Sequence, residues 1–298
     1  MNFKKSASVI CVLSAGILWG SMGIFVRTLQ SDFNFSSMQI VALRLVTAAA
    51  AFIISAFIKG FGKIKIKLGD VPLLFAMGFF GVTLMSVFYF MSMTYASLSV
   101  AAILLYTAPA FVMTASVFLF KERLGKLKII SLILALTGFV FVSGILDIGA
   151  AFTGIGILAG LASGITYGSY SIFGTYALKK HDNFTVTVWV FIFAALSSLL
   201  FADIPDIAAK ISASENIFKL AAVVICMGIV TAFLPYILYT TGLSKMDASK
   251  AVILASVEPL TATVLGFVVF SETPTFFSLA GIILILASVV LTASKKEN

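Results

Sequence analysis

The sequence predicts an all-α integral membrane protein with ten transmembrane helices in two inverted five-helix repeats. Three observations lead there. Of the 298 residues, 61% are hydrophobic and 11% are charged, whereas a soluble domain carries roughly 25% charge. The charges cluster between apolar runs of about 20 residues, the length at which a helix crosses a bilayer. The second half of the chain also repeats the first at an offset of 148 to 150 residues.

The first apolar run follows a basic start, MNFKKSASVICVLSAG, which has the form of a signal peptide. The run continues through Trp19 to Val26 and everything downstream is membrane-like, so it is read as a spanning helix. The ten spans have approximate limits 6–28, 36–58, 71–93, 97–120, 126–146, 152–178, 184–202, 217–242, 247–270 and 275–294. The longest connector, Asp203 to about Asn216, leaves no room for a soluble domain. With the N-terminus in the cytoplasm, 16 basic residues fall inside and only Arg27, Lys210 and Lys219 fall outside. Both termini are therefore expected to be cytoplasmic, and the net charge of +8 is no argument for nucleic acid.

Other functions find little support. Cys11 and Cys226 lie inside apolar runs, and His181 stands alone in a polar loop. The sequence has no metal-ligand spacing, no nucleotide-binding glycine loop and no nucleophile–base constellation. No cofactor, metal or catalysis is expected, and uphill transport would have to draw on a gradient or on exchange.

The repeat rests on residues that apolar helices do not share by default. Ser99, Pro109, Phe120 and Glu122 in SVAAILLYTAPAFVMTASVFLFKE align with Ser249, Pro259, Phe270 and Glu272 in SKAVILASVEPLTATVLGFVVFSE. Gly78 and Tyr89 align with Gly228 and Tyr239, and GILWGSMGIF aligns with GITYGSYSIF. The halves are 1–148 and 149–298, with five helices each. An odd number inverts the second copy, the arrangement behind alternating access around a midplane site.

Glu258 is the only carboxylate deep in any span, and it sits beside Pro259. A charge at that depth usually faces the protein interior. Glu258 could carry a proton, bind a substrate ammonium, pair with Arg44 or make a structural contact. Pro259 cannot donate to the carbonyl of Ala255, nor Pro109 to that of Leu105, so both helices are expected to kink and free a carbonyl toward a cavity. Arg44 must meet an acid, a carbonyl or an anionic substrate, or snorkel outward. Trp19, Tyr89, Tyr106, Tyr167 and Tyr239 are candidate cavity residues suited to a cation or an amino acid. Glu122 and Glu272 end their helices as candidate gate or loop anchors. Gly156, Gly160, Gly164 and Gly168 form a close-packing stripe.

The chain resembles the EamA-type members of the drug/metabolite transporter superfamily over nearly its whole length. The resemblance is carried by Trp19-Gly20, Tyr167-Gly168, Arg44, Pro109 followed by FKERL, and EPLTATVLGFVVFSE. It departs from internal equivalence where Ala108 stands opposite Glu258. The resemblance implies an exporter in the bacterial inner membrane, for amino acids or related small metabolites, with a small-molecule partner and proton coupling open. Export of lipophilic cations is the alternative within transport. A non-transporting receptor or structural subunit is the alternative outside it.

Overall fold

The computed structural model describes residues 3–148, 153–271, 273 and 275–294. Glu272, one of the two expected gate acids, lies outside the described residues. The described residues form helices and contain no strand. The main helices are α1 (Phe3–Gly20, resumed after Ser21 by Met22–Phe33), α2 (Ser37–Lys59), α3 (Leu68–Tyr95) and α4 (Leu98–Phe120). They continue as α5 (Lys126–Val142), α6 (Gly154–Ala177), α7 (Asn183–Ser198), α8 (Ile217–Leu243), α9 (Ala248–Phe270) and α10 (Phe276–Ser294). Among the described residues eight of these are long and apolar enough to cross a membrane. The other two, α5 and α7, are shorter, with 17 and 16 residues. A short helix, Ile204–Ser212, follows α7.

Local chemistry sets the helix ends. Ser36 and Gln39 form a reciprocal capping box at the start of α2, and the Asp182 carboxylate caps α7 through the Phe184 and Thr185 amides. Each bond satisfies a donor that the first turn leaves open. Outward faces are apolar, with Phe57, Ile58, Phe118 and Val268 all exposed, as lipid-facing positions should be.

Several local irregularities recur 149 or 150 residues apart. A π-helical segment interrupts α3 at Phe79–Leu84 and α8 at Ile229–Phe233. A turn interrupts α4 after Leu105 and α9 after Leu254. Lys121 and Ser271 end α4 and α9 in the left-handed conformation, at φ 54° and 53°.

The prolines act differently from expectation. Pro109 and Pro259 sit in the first turn of a new helical segment, Ala108–Phe120 and Val257–Phe270. A first-turn amide has no partner within its helix, so proline costs little there. The Ala255 carbonyl, expected to be freed toward a cavity, accepts the Glu258 amide at 3.0 Å. The break is closed by its own turn.

The packing pattern is reciprocal between the halves. α1 lies against α8 and α9, while α6 lies against α3 and α4. α2 packs on α7, and α5 packs on α10. Glycines permit the closest approaches. A Cβ at Gly20 would lie 2.6 Å from the Glu258 carbonyl oxygen, and one at Gly164 would lie 2.6 Å from that of Leu104. The stripe Gly156, Gly160, Gly164 and Gly168 thus seats α6 on the end of α3 and along α4. In this way α1 and α6 are each held against the interrupted helix of the other half.

Candidate functional site

Glu258 falls in the first turn of the lower segment of α9. Its carboxylate therefore sits at the positive end of a 14-residue helix, where the peptide dipoles favour negative charge. The break in α9 provides a helix N-terminus at mid-span, which an unbroken helix could not. The Tyr167 hydroxyl, from α6, donates to Glu258 Oε2 at 3.1 Å. The Tyr106 hydroxyl, at the break of α4, lies near the same carboxylate. Tyr89, from α3, lies near enough for the Glu258 charge to act on it. Glu258, Tyr89, Tyr106 and Tyr167 are all half-buried despite their mid-helix positions. Four helices thus bring one acid and three phenols to a common locus. A carboxylate ringed by hydroxyls can accept an ammonium or exchange a proton without leaving its hydrogen bonds.

Trp19 and Tyr239 are placed elsewhere. They are 7% and 3% exposed and pack against each other with ring centroids 5.3 Å apart and planes tilted by 49°. Tyr236 joins them, 5.0 Å from Trp19, and Tyr170 lies 5.1 Å from Tyr236. Tyr239 exchanges a hydrogen bond with Ser171 at 2.7 Å, and Tyr170 does so with Thr240 at 3.2 Å. This aromatic wall fixes α1 and α6 against α8. Tyr170 and Tyr236 were not singled out from sequence. The signal available was spacing, because each stands three residues from a candidate tyrosine and so shares its helix face.

Arg44 does not snorkel. It is 4% exposed. Its Nη1 donates to the Met22 thioether at 2.8 Å, and its Nε has no hydrogen-bond partner among the described residues. Its charge acts on Tyr236, Glu258 and Tyr167, yet no salt bridge joins it to Glu258 among the described residues. A buried charge with no counter-charge bonded to it costs several kcal/mol.

Glu122 sits at the far end of α4. Lys128 Nζ reaches Glu122 at 3.2 Å, Asp247 at 2.8 Å and Ser249 at 3.0 Å, and Ser249 donates to Glu122. This cluster ties the α4–α5 loop to the start of α9. A second tie joins Asp70, at the head of α3, to Lys180 at 2.8 Å and His181 at 3.0 Å. Sequence reasoning singled out Glu122 as an anchor but did not connect it to Asp247 and Ser249, which lie over 100 residues further along the chain.

A helical bundle with a polar site among broken apolar helices defines a multi-pass membrane protein. The chain belongs to the EamA-like transporter family, whose model matches residues 6–144 and again residues 154–294. A protein of Archaeoglobus fulgidus named an uncharacterized transporter is 27% identical over 276 residues, 92% of this chain and 95% of its own length. The uncharacterized transporter YxxF of Bacillus subtilis is 24% identical over 299 residues, 99% of this chain and 92% of its own length. The uncharacterized inner membrane transporter YicL of Salmonella typhimurium is 23% identical over 284 residues, covering 94% and 93%. A solved crystal structure superposes with a TM-score of 0.78 at 19% identity, over 96% of each chain, and so shares the fold.

Proposed function

We propose that this transporter is a secondary exporter of amino acids or related small amine-bearing metabolites. It works by alternating access in the inner (plasma) membrane, with both termini in the cytoplasm. α5 and α7 join the eight longer helices to make ten spans in two inverted repeats, 1–148 and 149–298. The recurrence of π segments, breaks and left-handed caps at 149 or 150 residues supports that arrangement, as does the double match of the family model.

The observation that carries the substrate reading is the Glu258 carboxylate, held by Tyr167 at a mid-helix break. The Glu122–Lys128–Asp247–Ser249 cluster serves as a gate between the halves. Export of lipophilic cations is the second reading. It draws on the same carboxylate and tyrosines, and on the aromatic wall of Trp19, Tyr236 and Tyr239.

Glu258→Gln tests the site. It keeps the shape and removes the charge, so proteoliposomes carrying it should lose uptake and exchange of radiolabelled amino acids while the protein still inserts and purifies. Normal transport by this variant would remove Glu258 from the mechanism.

A further inference from the structure

Arg44 is the charge that the packing leaves unanswered. It is buried, with one donor on a thioether and its Nε unpartnered among the described residues. A thioether is a weak acceptor, and a guanidinium cannot shed its proton to escape burial. An open planar fork of donors matches a carboxylate, which it can receive through two parallel bonds.

The surroundings place that fork at the Glu258 locus. Two of the three groups on which its charge acts are Glu258 and Tyr167, which already bond to each other. Met22, its one partner, directly follows the break in α1 at Ser21. Gly20, just before that break, presses on the Glu258 carbonyl, where a Cβ would lie at 2.6 Å. The turn of α1 from Gly16 to Gly20, just ahead of its own break, therefore lies along the break of α9 and Glu258, with the guanidinium on one side and a hydroxyl-held carboxylate on the other.

We propose that Arg44 and Glu258 are the two poles of one substrate site, and that its ligand is a small zwitterion. The guanidinium receives the carboxylate of the substrate, and Glu258 with Tyr106 and Tyr167 receives its ammonium. The inference rests on the transporter reading above and narrows its substrate. A pure cation would bring its charge toward a guanidinium to which no carboxylate is bonded, and a pure anion would meet Glu258. A zwitterion offsets both charges at once.

Thermal unfolding of the purified full chain tests this. The probes are the L-amino acids, the amide of each (no carboxylate), the 2-oxo acid of each (no ammonium) and tetraphenylphosphonium. In the wild type, at least one amino acid should raise the melting temperature. Its amide and its oxo acid should each need concentrations about ten- to a hundredfold higher, because each leaves one charged pole unpaired. Arg44→Gln should erase the preference for acid over amide, by weakening the effect of the amino acid and by strengthening that of the amide, which no longer meets a positive charge. Glu258→Gln should erase the preference for acid over oxo acid.

An amide as effective as its amino acid in the wild type would overturn the proposal, as would a preference that survives in Arg44→Gln. Arg44 would then be structural. If Arg44→Gln does not fold, the wild-type comparison decides alone, and Arg44→Lys should keep part of the preference. Stabilisation by tetraphenylphosphonium only would overturn the zwitterion and leave the Glu258 site standing in its second reading. Stabilisation by none of the compounds would overturn both.

Discussion

Replacing Lys128 by methionine keeps the stem of the side chain and removes its three donors. Those donors reach Asp247 at 2.8 Å, Ser249 at 3.0 Å and Glu122 at 3.2 Å. Distance alone would make Asp247 the strongest partner. Burial reverses that order, because the Asp247 side chain is 41% exposed and that of Glu122 is 8% exposed. An exposed pair contributes about 0.2–1 kcal/mol. A hydrogen bond to a buried charge contributes about 1.5–3 kcal/mol. Glu122→Gln should therefore cost about 1.5–3 kcal/mol, Asp247→Asn less than about 1 kcal/mol, and Lys128→Met about as much as both together. At roughly 2.1 cal/mol/K of unfolding entropy per residue, the larger losses lower the melting temperature by about 2–5 °C. Differential scanning of the purified variants measures this, and a double-mutant cycle isolates each pair. The Lys128–Glu122 coupling should exceed the Lys128–Asp247 coupling. An equal or reversed order would refute the claim that burial outranks distance at this contact.

Three further outcomes are expected. Cysteines introduced at Gly62 and Ser212, both exposed, should differ in intact cells, with an impermeant reagent labelling position 212 quickly and position 62 hardly at all; the opposite pattern would invert the topology. Pro109→Ala or Pro259→Ala should leave the protein folded and slow transport several-fold in proteoliposomes, because each proline starts a helical segment beside the site; wild-type rates would make the prolines packing devices only. Gly78→Ala should destabilise by about 1–3 kcal/mol through overpacking, since its Cβ would lie 2.5 Å from the Val190 carbonyl oxygen; an unchanged melting temperature would show that α3 and α7 can separate there without cost.

Much of the architecture was legible because a bilayer leaves a chain few choices. Backbone groups in lipid must bond internally, so long apolar runs become helices, and Glu258 stood out as a carboxylate in one of them. The interruptions near Pro109 and Pro259 were legible as irregularities but not in form. Kinks were expected, whereas the helices stop and restart, and the local turn at Ala255 closes the carbonyl that proline leaves open. Side-chain placement was legible only in part. Tyr106, Tyr167 and Glu258 come together, while Trp19 and Tyr239 turn into a cluster of tilted aromatic rings. That choice depends on how α1 and α8 are rotated about their axes, and hydropathy in uniformly apolar helices carries no phase. The burial of Arg44 was hidden for the same reason. Its position in α2 allowed an outward reach, and only the packing of α1 and α8 around it decides otherwise.

The π-helical segments of α3 and α8 bear on that phase. A π turn takes up an additional residue without ending the helix. At 3.6 residues per turn, one extra residue displaces everything beyond it by about 100° around the axis. A helical wheel drawn from the start of α3 therefore points Tyr89 at the wrong neighbour, because Tyr89 lies past Leu84. The same wheel fails for Tyr236 and Tyr239, which lie past Phe233. In both helices the residues before the π segment and those after it obey two different clocks. An aromatic group that seems to face lipid by counting can thereby be delivered to the interior.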